Sequence, residues 1–355
     1  MIAAFLLLLC FLGHAAALDT IQYGDFVFSA TFSIANQLGF FTRNGLNVVF
    51  NQVNSSTQAF DSLLGGQFDI LIATVDNALN NRFNLNQNVT VLGQLDQGPG
   101  LVLASVPSIT NVSQLQGKSI IVDSPLSGYS FLLQFVLSKF GLELVDGDFT
   151  FITVGGTNIR FADLLNGSLP NGTDVFATIL TYPFTIESQT LFSPSPAPPN
   201  ILARVSDFIA PITSSAFTIR QSSLANATEF ALLARFLAAM HSANEFLLDP
   251  SNKACSVRAI ALQLEVTQDI AEREYASATD TLTGEVAPGG NFTVTMEGIE
   301  NDVMVRQMFN GFGGAPEGFN FTAALEPGSG KLIDYSVRDA ALQISQGHGT
   351  LACDS

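Results

Sequence analysis

Apolar and polar positions along this chain fall into short blocks that switch between two periods. Asp69 opens the run "DILIAT", apolar through Ala73 and closed by Thr74. It is too short for a helix and does not alternate, which predicts a strand over 69–74 buried on both faces. Asp174 opens "DVFATIL" in the same way, and this predicts a second buried strand over 174–180. Each run is preceded by Leu-Leu-x-Gly, at Leu63–Gly66 and Leu164–Gly167, and each passes through Ala-Thr. Around the first run the pattern predicts a strand at Thr20–Tyr23, a helix at Ala30–Leu38 and a strand at Asn47–Val53. A further helix starts from a cap at Ser55 or Ser56 and stops at Gly65-Gly66. Around the second run it predicts a strand at Lys118–Asp123, a helix at Ser127–Phe140 carrying apolar Phe131, Leu132, Phe135 and Val136, and a short helix at Phe161–Leu165. Gly141-Leu142 answers Gly45-Leu46 as the reversal before the next strand.

Strands alternating with helices imply right-handed βαβ units and a mostly parallel sheet. The expected fold is therefore α/β, in two lobes of one design. After the loop Ser193–Asn200 come a strand at Ser214–Arg220 and a long helix at Thr228–Leu248, its apolar face formed by Phe230, Leu233, Phe236, Leu237, Met240 and Leu247. Nothing in the second copy matches that helix, so the chain is expected to return to the first lobe. Beyond Thr281 the rising glycine content predicts loops laid over the surface. The expected division is a leader at 1–17, a first part of lobe 1 at 18–104, lobe 2 at 105–213, and a return to lobe 1 at 214–355 with C-terminal helices and a Gly-rich tail. The crossings are expected near Leu101–Ser108 and Ile209–Ser215.

A length of 355 residues suits two lobes, and 47% hydrophobic with 13% charged residues suits a large core. A net charge of -17 repels phosphate backbones and anionic lipid, which removes nucleic acid from the expected partners. The apolar run Ile2–Leu12 followed by Ala15–Ala17 reads as a signal peptide, and no later run is long enough to span a membrane. Removal of the leader takes Cys10 and leaves Cys255 and Cys353, which predicts one disulfide in an oxidising compartment, two buried free thiols being the alternative. Asn54, Asn88, Asn111, Asn166, Asn171, Asn226, Asn291 and Asn320 each head an Asn-x-Ser/Thr sequon. The expectation is a secreted, glycosylated, monomeric eukaryotic protein.

Enzyme signatures are sparse. His241 and His348 pair with no Cys or Glu at metal-ligand spacing, Gly-x-Ser-x-Gly is absent, and "GSGKL" lacks the frame of a phosphate-binding loop.

The phrase "GFFTRNGLNVVF" followed by "GGQFDILIAT" resembles the opening lobe of type II periplasmic substrate-binding proteins, in the group that takes nitrate, sulfonates, taurine and thiamine-pyrimidine precursors. "LQGKSIIVDSPLSGYSFLL" and "DVFATILTYPF" are similar to that group's second lobe. The likeness spans about Ile21 to Ala278, and the segment after Thr281 matches poorly. It implies a two-lobed clamp, here in a fungal secreted member, with a small-molecule ligand held between lobes. A eukaryotic origin argues against an importer permease as partner. Ligands of open α/β sheets sit beyond the carboxyl ends of the strands. The candidate binding residues are therefore Asp25 and Phe26; Asp76 and Asn77; Ser124, Ser127, Gly128 and Tyr129; and Thr181, Tyr182 and Phe184. Ser127 heads a helix whose free N–H groups suit an oxyanion, or simply caps it. Asp76 binds an amino or ring N–H group, or caps the next helix. Tyr182 and Phe184 stack on a flat ligand, or pack in the core. Asp25 serves the ligand or only ends its strand. On the ligand reading, Asp76→Ala and Tyr182→Ala abolish binding and leave stability near wild type.

The resemblance also raises an enzyme: fungal thiamine-pyrimidine synthases of this fold bind pyridoxal phosphate through a Lys and consume a His. Registered on Asp69, those positions hold Ala73 and Asn77, and the synthases' cysteine-rich run is absent. The expectation is a non-catalytic clamp without cofactor or metal. The alternative is an extracellular interaction protein, cell-wall associated or host-facing, that keeps the fold without the ligand.

Overall fold

A computed structural model of the chain describes residues 17–191, 197–285 and 291–346. The leader through residue 16, the Ser193–Pro196 part of the expected loop, His348 and Cys353 lie outside the described residues.

The chain opens with β1 (Asp19–Asp25), α1 (Ala30–Gln37), α2 (Phe40–Arg43), β2 (Leu46–Gln52), α3 (Ser56–Leu64), β3 (Ile70–Thr74), α4 (Val75–Leu79) and β4 (Val89–Gln94). It continues through β5 (Val102–Ser105), β6 (Lys118–Val122), α5 (Gly128–Ser138), β7 (Phe149–Thr153), α6 (Thr157–Asn166), β8 (Ala177–Leu180), α7 (Phe184–Thr190) and β9 (Asn200–Arg204). Then follow β10 (Ser215–Arg220), α8 (Ala227–Leu248), α9 (Lys253–Leu264), α10 (Gln268–Ala278), α11 (Met296–Met308), α12 (Phe321–Leu325) and α13 (Ser336–Ser345). Local chemistry sets many of these ends. Ser29 and Ser55 accept from the N–H of Phe32 and Gln58 and so cap α1 and α3. The two Gly-Leu reversals have one cause: Gly45 and Gly141 stand at φ +70° and +73°, where a Cβ would be strained.

Two five-stranded sheets result, in the orders β2-β1-β3-β10-β4 and β7-β6-β8-β5-β9. Position by position they correspond, with β6 in the place of β1 and β8 in the place of β3. In each sheet one strand runs against its neighbours, β10 in the first and β5 in the second. Each reversed strand is the first one laid down after the chain changes lobe. Val102–Ser105 therefore belongs wholly to the second sheet, so the passage out of lobe 1 comes earlier than residue 104. The return passage lies between β9 and β10.

Strand β3 shows why its sequence is apolar without alternation. Ile70 and Ile72 join the cluster under α1 and α8, whereas Leu71 and Ala73 join the one with Phe60, Leu79 and Ile299. Both faces of the sheet are covered, so both registers of the pleat demand apolar side chains.

The expectation of surface loops beyond Thr281 is overturned. Helices α11, α12 and α13 stand there, and Ile299, Val303, Leu332, Ile333 and Val337 are buried. Helix α11 touches α4 of lobe 1 and α5 of lobe 2, so it ties the lobes together. Its sequence, MEGIENDVMVRQM, hides this because Asp302 and Arg306 are buried too. A helix with polar groups on its inward side shows no clean apolar stripe.

Candidate functional site

The carboxyl ends of β1 and β3 face those of β6 and β8 across a cleft. The cavity measures about 70 Å³ at the centres of water-sized molecules. A water needs roughly 10–15 Å³ on that measure, so the space suits a handful of waters or one small molecule. Lobe 1 supplies Asp25, Phe26, Ala73, Thr74 and Asn77, and lobe 2 supplies Asp123, Ser127, Tyr129, Arg160, Thr181 and Tyr182. Leu95, Asp96, Pro99 and Ser215 line it where the chain passes between lobes.

Seven of the sequence candidates meet there: Asp25, Phe26, Asn77, Ser127, Tyr129, Thr181 and Tyr182. The other four do something else. Asp76 turns away from the cavity and pairs with Arg306 of α11, Oδ2 to Nη1 at 2.5 Å, and both side chains are buried. Gly128 lies where the lobes touch: its N–H donates to Asn77 Oδ1 at 3.1 Å, and a Cβ on it would sit 2.7 Å from that of Asp76. Ser124 Oγ accepts from the Leu126 N–H. Phe184 packs against Phe161 inside lobe 2, the rings tilted by 43°. Ser127 caps α5, as one reading had it, and its hydroxyl also donates to Asp123 Oδ1 at 2.7 Å. Thr181 donates to the Pro99 carbonyl, and the Tyr129 hydroxyl meets Ser214 Oγ at 3.1 Å. The Tyr182 hydroxyl is buried with no hydrogen-bond partner among the described residues.

Sequence reasoning missed acids in the wall, Asp123 and Glu285 among them. Asp123 directly follows β6 in lobe 2 and accepts from the N–H and the hydroxyl of Ser56 at the start of α3 in lobe 1, so it bridges the cleft. Glu285 accepts from Ala30 and Thr31 N–H, both at 2.7 Å, and so occupies the N-terminus of α1. Asp25 accepts from the Tyr23 hydroxyl and the Phe26 N–H. Burial pushes Asp25 up to about 8 and Glu285 up to about 7, against the lowering effect of these bonds.

Arg160 differs from these acids. Its side chain is 1% exposed. Its guanidinium donates Nε to Gly155 O, Nη1 to Thr178 Oγ1 and Ile179 O, and Nη2 to Thr157 Oγ1. A guanidinium has five N–H groups, so one remains. No carboxylate among the described residues lies within ion-pair distance of it. The signal for Arg160 was present in the Gly155-Gly156 that follows a predicted strand. A helix placed from Thr157 rather than Phe161 would have brought Arg160 to its first turn, at the strand ends.

A pyridoxal phosphate site does not fit this wall. Ala73 stands where the lysine would be, and among the described residues neither Lys nor His lines the cavity. Among the described residues no cluster of His, Cys, Asp and Glu could hold a metal, and no helix is long and apolar enough to cross a membrane.

Two sheets with facing strand ends, joined by two passages and closed over a small cavity, define the two-lobed fold of periplasmic binding proteins. Solved structures agree. The nitrate-binding protein NrtA from Synechocystis PCC 6803 superposes with a TM-score of 0.68 at 13% identity, over 92% of this chain and 89% of its own. The alkanesulfonate-binding protein SsuA from Xanthomonas axonopodis pv. citri, bound to MOPS, gives 0.63 at 16%, over 85% and 96%. A Candida albicans protein described as having the generic periplasmic binding protein fold gives 0.54 at 17%, over 73% and 81%. The model of the family described as "NMT1/THI5 like" matches residues 28–251. That is more than half of the chain, which belongs to this family. No curated protein sequence matches it.

Proposed function

We propose that the protein is a secreted, glycosylated, non-catalytic solute-binding protein that shuts its lobes on one small polar molecule and holds an anionic group of that molecule at Arg160. The observation that carries this is the imbalance in the cavity wall. Asp25, Asp123 and Glu285 each accept hydrogen bonds from fixed N–H or O–H groups of the frame, whereas Arg160 is buried with no carboxylate at ion-pair distance among the described residues and has only the more distant charge of Asp123 acting on it. A buried charge without a close ion pair is costly, and a sulfonate-like or carboxylate group would supply one. The names of the similar solved structures point to the same chemistry. All eight sequon asparagines are exposed, which suits glycans, and the reading includes a disulfide from buried Cys255 to Cys353.

Calorimetric titration and thermal-shift measurements with nitrate, alkanesulfonates, taurine, amino acids and pyrimidines test the reading. A ligand at a hundred times its Kd adds about 2.7 kcal/mol to stability. Arg160→Gln removes a hydrogen bond to a charged group, of about 1.5–3 kcal/mol, and lowers affinity roughly 10- to 150-fold. Equal affinity in Arg160→Gln and wild type refutes the anchor. Silence across the whole panel favours a second reading, an extracellular interaction protein. One observation supports that alternative: Asn77, Asp123 and Glu285 already occupy N–H groups at the starts of the three helices that border the cleft.

A further inference from the structure

Behind Tyr182, helix α10 of lobe 1 lies across α7 of lobe 2. Glu274 of α10 sits in this seam, fully buried, and neither of its carboxyl oxygens has a hydrogen-bond partner among the described residues. The titratable groups that face it are Glu187 of α7, Tyr182, whose hydroxyl is likewise unpartnered, and Glu285 from lobe 1. Asp269, Glu272 and Arg273, also on α10, are exposed. On the adjoining α9, Lys253 lies over the Tyr275 ring and Arg258 reaches the Cys255 sulfur, while α1 carries no charged residue. No ion pair joins Glu274 to a cation among the described residues.

A carboxylate enclosed with other acids and without a donor does not stay ionised; it takes a proton. Separation of the lobes would part α7 from α10 and return Glu274 to water. We propose that closure of the clamp is proton-linked, with Glu274 taking up a proton as α7 and α10 meet, so that the closed form is favoured in acid and gives way as pH rises. This rests on the two-lobed clamp reading above.

Burial, and then the charges of Glu187 and Glu285, push Glu274 in the closed form up to about 10, against an ordinary value of 4.5. Between those limits the open form has released a proton that the closed form keeps. The open-to-closed ratio therefore rises about tenfold per pH unit. Gln is the neutral isostere of protonated Glu, so Glu274→Gln keeps the seam and loses the titration.

The test is amide hydrogen exchange of α7 and α10 in the full chain from pH 6 to 8, corrected for the intrinsic pH dependence of exchange. The opening constant should rise about a hundredfold in wild type and stay level in Glu274→Gln. Infrared difference spectra between the two proteins at pH 7 should show a carboxylic-acid C=O band present only in wild type. An equal pH response in both proteins, or absence of that band, overturns the proton linkage and leaves the clamp standing. Seam amides that open only with global unfolding, together with no response to any ligand of the panel, overturn the clamp itself.

Discussion

Asp76→Ala separates the two roles considered for this residue. From the sequence it either bound the ligand or capped the next helix, and on the ligand reading its loss was expected to spare stability. In the fold it is the counter-charge of Arg306, whose side chain is 0% exposed. That guanidinium also donates to Leu126 O, Asn80 Oδ1 and Gly311 O, and lies 4.4 Å from the centre of the Phe131 ring. These contacts come from both lobes and from α11, so the variant strands a positive charge at a three-way junction. Removal of one partner of a buried pair costs about 3–5 kcal/mol. At roughly 2 cal/mol/K of unfolding entropy per residue, 4 kcal/mol lowers the Tm of a chain this size by about 5 °C. Burial pushes the Asp76 carboxyl up and Arg306 pulls it back, so the pair itself yields little net stability over apolar contact. Asp76→Leu combined with Arg306→Met should therefore recover most of the loss. Scanning calorimetry and urea unfolding on the single and double variants measure this. A single-variant cost below about 1 kcal/mol, or a double variant as unstable as the sum of the singles, refutes the assignment.

Gly128→Ala would place a Cβ 2.7 Å from the Asp76 Cβ and 2.9 Å from Thr74 Oγ1, across the lobe contact. Overpacking of about 1–3 kcal/mol then falls on the closed form alone and lowers the closed-to-open ratio roughly 5- to 150-fold. Small-angle scattering should show a larger radius of gyration, and an unchanged shape with unchanged Tm refutes the contact. Buried Asp25, Glu274 and Glu285 stand at about 8, about 10 and about 7 in the fold. Each is raised above its unfolded value, so its contribution is full below about pH 4 and is lost as pH climbs toward the folded value, at up to about 1.4 kcal/mol per pH unit per group. The Tm should be highest near pH 4–5 and lower at pH 8, and a Tm that rises over that interval sinks this account.

Much of the architecture was legible before any coordinates. The Leu-Leu-x-Gly lead-ins, the Gly-Leu reversals and the apolar runs at β3 and β8 are local signals, because a doubly covered strand needs apolar residues on both faces and a left-handed turn needs glycine. Strand ends then located the cleft, and seven candidates line it. Asp123, Glu285 and Arg306 escaped notice because their partners lie far along the chain, whereas Arg160 was missed through the placement of its helix start. Asp76 and Arg306 are 230 positions apart, and Ser56 and Asp123 are 67 apart. Glu285 caps a helix that begins 255 residues earlier. The sequence alone determined two α/β lobes and the edge where a ligand would lie, since short-range periodicity and turn chemistry suffice for that. Only the tertiary structure decided which buried charges face one another and that Arg160 has no ion pair among the described residues, because electrostatic pairing depends on distance in space and leaves no local period in the chain.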